Sequence, residues 1–147
     1  MKDKLFIDSD IILDIALNRH PYYPSSALIL SSIEIKLFEG YTSPINISNI
    51  YYIIRKIESH KHAIDFISKL RLILKLLPVD DDVIKKSLES KFKDFEDAIQ
   101  YYTALTNNIN YIITRNVKHY TRSDIHVHTP EQYIKMKEIS GRVGIST

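Results

Sequence analysis

Apolar strands alternating with amphipathic helices predict an α/β chain, a three-layer α/β/α sandwich around a central parallel sheet of four to five strands. Three observations carry that prediction. The runs Leu5-Phe6-Ile7 and Tyr111-Ile112-Ile113 are too apolar to face water on either side, as buried parallel strands are. Helical periodicity fills the stretches between them: Ile47, Ile50, Tyr51, Ile54 and Ile57 recur at i, i+3, i+4, i+7 and i+10. Polar groups then stand at the strand tips, Asp8 after the first run and Asn116 shortly after the second.

In chain order, residues 4–8 form the first strand, and Ile11 to Leu17 begin a helix after an acidic turn. Pro21 and Pro24 bracket a loop. Pro24-Ser25-Ser26 then opens a second helix through Phe38, apolar around much of its circumference and therefore well buried. A short strand follows near Tyr41-Thr42. Ser43-Pro44 starts the third helix, with the hydroxyl as N-cap and Pro at N1. A fourth helix runs from about His62 to Arg71, followed by a strand from Leu72 to Leu77 that stops at Pro78. Asp80-Asp81-Asp82 precedes a helix from Val83 to Ser90, and acids at a helix start act as caps and dipole partners. Asp94 opens a helix to about Asn107 whose inner face carries Ala98, Tyr101, Tyr102 and Leu105. Tyr111 to Thr114 is a buried strand, Ile125 to His128 a short edge strand, and Thr129-Pro130-Glu131 starts the last helix. Residues 1–138 read as a single domain and 139–147 as a flexible C-terminal tail.

Composition narrows the chemistry. A chain of 147 residues buries roughly 70% of its unfolded surface without needing staples. No apolar stretch approaches the ~18 residues of a membrane span, and no signal-peptide pattern opens the chain, so a cytoplasmic location is expected. The absence of Cys excludes disulfides, thiolate zinc sites and a Cys nucleophile. Of three glycines only Gly40 lies in the body, so neither a P-loop nor a dinucleotide fingerprint can be built. Any phosphate chemistry must use carboxylate-held metal and basic side chains. The net charge of +2 permits a nucleic-acid partner without demanding one. Basic residues cluster at Arg55-Lys56…His60-Lys61-His62 and at Arg115…Lys118-His119…Arg122.

Parallel, adjacent strands bring their C-terminal edges together, and ligands of open α/β sheets bind there. Asp8, the acids of Asp94-Phe95-Glu96-Asp97 and Asn116 can therefore share one pocket. Clustered carboxylates raise one another's pKa unless a cation neutralises them, and oxygen-only donors favour Mg²⁺ or Mn²⁺. Such a metal equips a site for phosphodiester hydrolysis. Blander readings stand beside this one. Asp94 with Asp97 is also a helix-capping pair, and Asp10 with Asp14 reads as a cap and a solvent-facing acid. Asp8 resists such a reading, because an acid placed directly after an apolar strand gains little from burial.

Phe6-Ile7-Asp8-Ser9-Asp10-Ile11-Ile12-Leu13-Asp14 resembles the first motif of PIN domains. Asp94 to Tyr101 and Ile112 to Lys118 resemble the third and fourth motifs, and Thr129-Pro130-Glu131 resembles the usual close of the domain. The likeness covers about residues 4–136. It implies a Mg²⁺- or Mn²⁺-dependent ribonuclease of the VapC type, the toxin of a toxin–antitoxin pair, commonly a homodimer inhibited by an antitoxin protein. Carried over residue by residue, Asp8 and Asp97 would be catalytic, metal-coordinating carboxylates with Asp94 in support, and Asn116 would complete the metal set. Asp10, Asn49, Thr114, Arg115 and Lys118 would meet RNA substrate. Asn49 stands where the family's second motif has Glu, and Asn116 where Asp is frequent, each change removing a charge while keeping an oxygen.

Two other functions remain open on sequence grounds. One is a PIN-like RNA-binding or protein-interaction module with weakened catalysis. The other reads Asp8-Ser9-Asp10 as the nucleophile motif of a haloacid-dehalogenase-type phosphatase, although the later acidic pair that fold needs is missing.

Overall fold

The computed structural model describes residues 1–120 and 123–139. The first strand, β1 (Lys4–Ile7), is flanked in the sheet by β2 (Glu39–Thr42) and β4 (Tyr111–Ile113). The edges are β3 (Lys75–Leu76) beside β2 and β5 (His126–His128) beside β4. All four pairings are parallel, and the five strands run in the order β3-β2-β1-β4-β5.

Side-chain alternation splits the core in two. Leu5, Ile7 and Ile113 point to one face, Phe6 and Ile112 to the other. The first face is covered by α1 (Ser9–Ala16), α2 (Tyr23–Glu34), α3 (Pro44–Ile57), α4 (His60–Leu70) and α7 (Pro130–Lys137), through Ile11, Ile29, Ile33, Ile50, Ile54, Ala63 and Tyr133. The second is covered by α6 (Phe95–Thr106) through Tyr101 and Ala104, and by a 3-10 turn (Val117–Tyr120) through Tyr120. Against α6 packs α5 (Asp81–Glu89), started by Asp80, whose carboxylate accepts from the Val83 amide at 3.0 Å. The three-layer sandwich and parallel sheet are as the sequence predicts.

Several boundaries differ from expectation. The second helix stops at Glu34 instead of Phe38, because Lys36 takes a left-handed φ of 66° and the Leu37 amide turns back to the Ser32 carbonyl. Phe38 instead packs edge-on against Tyr133 and leads into β2. The strand expected from Leu72 shrinks to Lys75–Leu76. Residues 71–73 continue the turn after α4, with the Ile73 and Leu74 amides both bonded to the Leu70 carbonyl. Ile57 is exposed because α3 ends there, and Leu105 is exposed while Ala104 holds the inner face of α6. α1 begins at Ser9, so Asp8, not Asp10, is its cap. α4 begins at His60 with Ser59 as cap, two residues before the expected start. Of the expected tail, residues 140–147 lie outside the described residues, as does Arg122; Ile139 packs against the first core.

Candidate active site

Parallel strands and the helices between them place one set of termini at a common edge. Asp8 continues β1 there, its amide donating to the Ile113 carbonyl at 3.0 Å. Its carboxylate accepts from the Ser9 amide at 2.8 Å and from the Thr114 hydroxyl at 2.9 Å. Asp10, on the first turn of α1, accepts through Oδ2 from the Arg115 amide at 3.1 Å and from Asn116 Nδ2 at 3.3 Å. Its other oxygen, Oδ1, is buried without a hydrogen-bond partner among the described residues. Asp97 arrives from the start of α6, where Asp94 caps the helix by accepting from the Asp97 amide at 2.9 Å. Asp97 Oδ2 stands 3.0 Å from His119 Nδ1. On the α3 side, Asn49 Nδ2 donates to Glu96 Oε1 at 2.8 Å.

These acids raise one another's pKa. Burial, reinforced by the charges of Asp10 and Asp97, pushes Asp8 up to about 7. Burial likewise raises Asp10, against the opposing hydrogen bond from the Arg115 amide. Asp97 is raised by burial and by Asp94, with His119 pulling the other way, and Glu96 by burial and then Asp94 and Asp97. Among the described residues no basic side chain pairs with Asp8. Nor do three or more His, Asp or Glu side chains form a ready-made metal cage among the described residues. The donor set nevertheless fits a hard cation of the Mg²⁺ kind, which keeps several waters and is held by one or two carboxylates. The unpartnered Asp10 oxygen and the mutual repulsion of Asp8, Asp10 and Asp97 are what such an ion would relieve.

Most of the residues named from sequence meet at this edge: Asp8, Asp10, Thr114, Arg115 and Asn116 directly, with Asp94 and Asp97 from α6 and Asn49 through Glu96. Lys118 is exposed on the 3-10 turn and lines a cavity of about 810 Å³ that also includes Asp94, Asp97 and His119. Arg115 is partly engaged elsewhere, its Nε 3.1 Å from Asp14 and its guanidinium over the Tyr22 ring. Asp14, expected to face solvent, is fully buried and also lies 4.0 Å from Arg19. Arg55 and Lys56 do not converge on the site. They occupy the last turn of α3, about 14 Å of helical rise beyond Asn46.

Sequence reasoning missed three features. Tyr120 is buried with an unpartnered hydroxyl, its ionisation pushed far up by burial and by the charges of Asp8, Asp97, Asp10 and Glu96. It thus stays a neutral hydroxyl near the acids, with no partner among the described residues. His119 meets Asp97. A buried chain of side chains runs from the Ser43 hydroxyl to Gln100 Oε1 (2.8 Å), from Gln100 Nε2 to Asn46 Oδ1 (2.7 Å) and from Asn46 Nδ2 to Thr42 Oγ1 (3.0 Å). This chain locks α3 to α6 behind the acids. Asn46, a polar residue four before Ile50 on a buried helical stripe, was the one available signal for it.

A parallel sheet layered between helices, with acids gathered beyond its strand ends, places the chain among α/β proteins whose ligand site lies at the carboxyl edge. Within that class the chain belongs to the PIN domain family, whose model matches residues 4–118. It is 29% identical over 136 residues to Ribonuclease VapC1 of Aquifex aeolicus, covering 89% of this chain and 93% of that protein. Among solved structures it resembles a toxin–antitoxin complex from Klebsiella pneumoniae (TM-score 0.66, 20% identity, 86% of this chain and 97% of that one). It also resembles Mycobacterium tuberculosis VapC20, described as a sarcin–ricin loop cleaving toxin (TM-score 0.59, 14% identity, 74% of this chain and 86% of that one). At these identities the two solved structures speak for the fold alone.

Proposed function

We propose that this chain is a metal-dependent endoribonuclease and the toxin of a toxin–antitoxin pair. The observation that carries the reading is the convergence of Asp8, Asp10 and Asp97, with Asp8 raised to about 7 and no basic side chain among the described residues paired with it. Family membership and the likeness to Ribonuclease VapC1 supply the reaction class.

In this reading Asp8 and Asp97 hold Mg²⁺ or Mn²⁺, with the Asn116 side-chain oxygen beside them. A divalent ion bound there supplies Lewis acidity toward a phosphoryl oxygen and lowers the pKa of its water. The chain's own residues do the rest. Thr114 fixes one Asp8 oxygen and the Ser9 amide the other, so the carboxylate has a single orientation. Asp10 ties the Arg115 amide and the Asn116 side chain to α1, and Asp94 orients the turn that presents Asp97. Lys118, and Arg115 to the extent Asp14 leaves it free, contact phosphates without reading sequence. Asn49, in a position where a Glu would add charge, instead holds Glu96. The same reading makes the protein a homodimer restrained by an antitoxin segment laid across the acidic edge. It also places the protein in the cytoplasm; separately, no helix among the described residues is long and apolar enough to cross a membrane.

Purified protein with Mn²⁺ is expected to cleave single-stranded RNA, and Asp8→Asn to reduce that rate at least about 100-fold. A substituted protein that cleaves as fast as the parent would rule out this site.

A further inference from the structure

The cavity of about 810 Å³ beside Asp97 is not accounted for by carboxylate chemistry. It falls in the size range of small-molecule pockets, roughly 300–1,000 Å³. Its aromatic lining comes from α6 and the segment before it: Phe92, Tyr101 and Tyr102. These rings brace one another, with centroids 5.1 Å apart for Phe92–Tyr101 and Tyr101–Tyr102, and Phe92 and Tyr102 meeting edge-on at 6.3 Å. Tyr101 is buried and its hydroxyl accepts from the Asp124 amide at 3.0 Å, so it serves as backing. Tyr102 is half-buried, leaving part of its ring open at the cavity. Lys91, Lys93 and Lys118 stand at the same cavity as the carboxylates Glu89, Asp94 and Asp97, and none of the three lysines makes an ion pair among the described residues, so each ammonium is free for a ligand's phosphate.

We infer that this cavity is a nucleotide subsite, holding one unpaired RNA base against Tyr102 while Lys93 and Lys118 hold the phosphates on either side of it. The inference rests on the ribonuclease reading and deepens it by saying which part of the substrate is gripped beyond the cleaved bond. Free cations next to aromatic rings fit a ligand that is both polyanionic and aromatic, and single-stranded nucleic acid is that ligand. The spacing agrees. Tyr102 is five residues beyond Asp97 on α6, a rise of about 7.5 Å with a net turn of about 140° around the axis, and both residues still line the one cavity. A ring already braced by its neighbours loses little freedom when a base stacks on it, which is the condition for efficient capture. Base-paired RNA keeps its bases stacked in the helix and has nothing to insert, so the subsite selects loops and single strands.

The test measures binding of a short fluorescent single-stranded oligoribonucleotide in chelator, so that cleavage does not intervene. A parallel series carries one abasic nucleotide at each position in turn. Tyr102→Ala is expected to weaken binding about 5- to 150-fold, the range for loss of one base–aromatic stack, and Tyr102→Phe to leave it within about twofold. One abasic position should weaken binding to the parent protein by a similar factor and cost nothing further in Tyr102→Ala. Parent-like affinity in Tyr102→Ala with the abasic penalty intact overturns the subsite, as does an equal loss in Tyr102→Phe. Mn²⁺-dependent cleavage, measured alongside, separates the two readings. If the parent protein cleaves RNA while Tyr102→Ala binds normally, the subsite falls and the nuclease stands. If the stacking signature is present but no cleavage occurs, the subsite stands and the nuclease falls. A parent protein that neither binds nor cleaves RNA overturns both.

Discussion

Asp8 stands where its charge is unwelcome. Its side chain lies between an apolar strand and two other acids, and the metal-free fold carries the resulting repulsion. Asp8→Asn is therefore expected to raise metal-free stability at pH 8 by about 1–2 kcal/mol while removing activity, read from denaturant unfolding in chelator. The amide can be accommodated: its oxygen still accepts from the Ser9 amide. Its NH₂ donates to Thr114 Oγ1, whose proton turns to Asp10 Oδ2, now 3.5 Å away. A destabilised Asp8→Asn would show that the carboxylate helps hold the fold together and is not a strained functional group. Asp8 was legible in the sequence because it breaks a rule, an acid placed after a strand that should end in something apolar or in a turn. Asp97 was legible only through its spacing within a motif. Tyr120, His119 and Asp14 were not, since their meaning depends on partners. Nothing near Asp14 announces that Arg115 arrives from the far end of the chain to pair with it.

Elements show the same division between local and distant causes. Capped helices were readable: Ser43, Asp80, Asp94 and Thr129 each accept from the backbone amide three residues on. Strand lengths were not, because how much of an apolar run pairs depends on the neighbouring strand. The run from Leu72 meets only Tyr41 and Thr42 of β2, and the rest stays in the turn that ends α4. Gly40 of β2 marks how closely the layers approach. A Cβ placed there would stand 2.6 Å from Leu74 Cδ2 and 2.7 Å from two Ile33 carbons, both buried side chains. Gly40→Ala is thus expected to lower stability by about 1–3 kcal/mol, the usual penalty of overpacking. A chemical-denaturation midpoint equal to the parent's would mean that α2 and the turn after α4 give way freely.

Across the whole molecule, the proposed active site and a clasp between distant parts of the chain sit at opposite edges of the sheet. The carboxyl edge gathers repelling acids, while the amino edge is clasped by attraction between the chain's two ends. There Asp3 accepts from the Tyr133 hydroxyl at 2.7 Å and pairs with Lys137 at 2.8 Å, tying the segment before β1 to α7. Burial alone would raise the Asp3 carboxyl, but the hydrogen bonds from Lys137 and Tyr133 together outweigh it and hold the group below its ordinary value. A carboxyl depressed in the folded state binds fewer protons there than in the unfolded chain, so its contribution is fully present above the unfolded pKa of about 3.9. It is lost as pH falls through the folded value. Asp3→Asn, which keeps the tyrosine hydrogen bond but not the ion pair, is expected to cost about 1 kcal/mol at pH 7, modest because both partners are partly solvated. The difference from the parent should shrink as pH drops from about 4 toward 3, and RNA cleavage at neutral pH should not change, because the clasp lies at the far edge from Asp8 and Asp97. Unfolding curves of both proteins at pH 7 and pH 3 decide the matter. A gap that stays constant across that range would show that the Asp3 charge does not fasten the two ends, and a loss of cleavage in Asp3→Asn would show that the two edges are not independent.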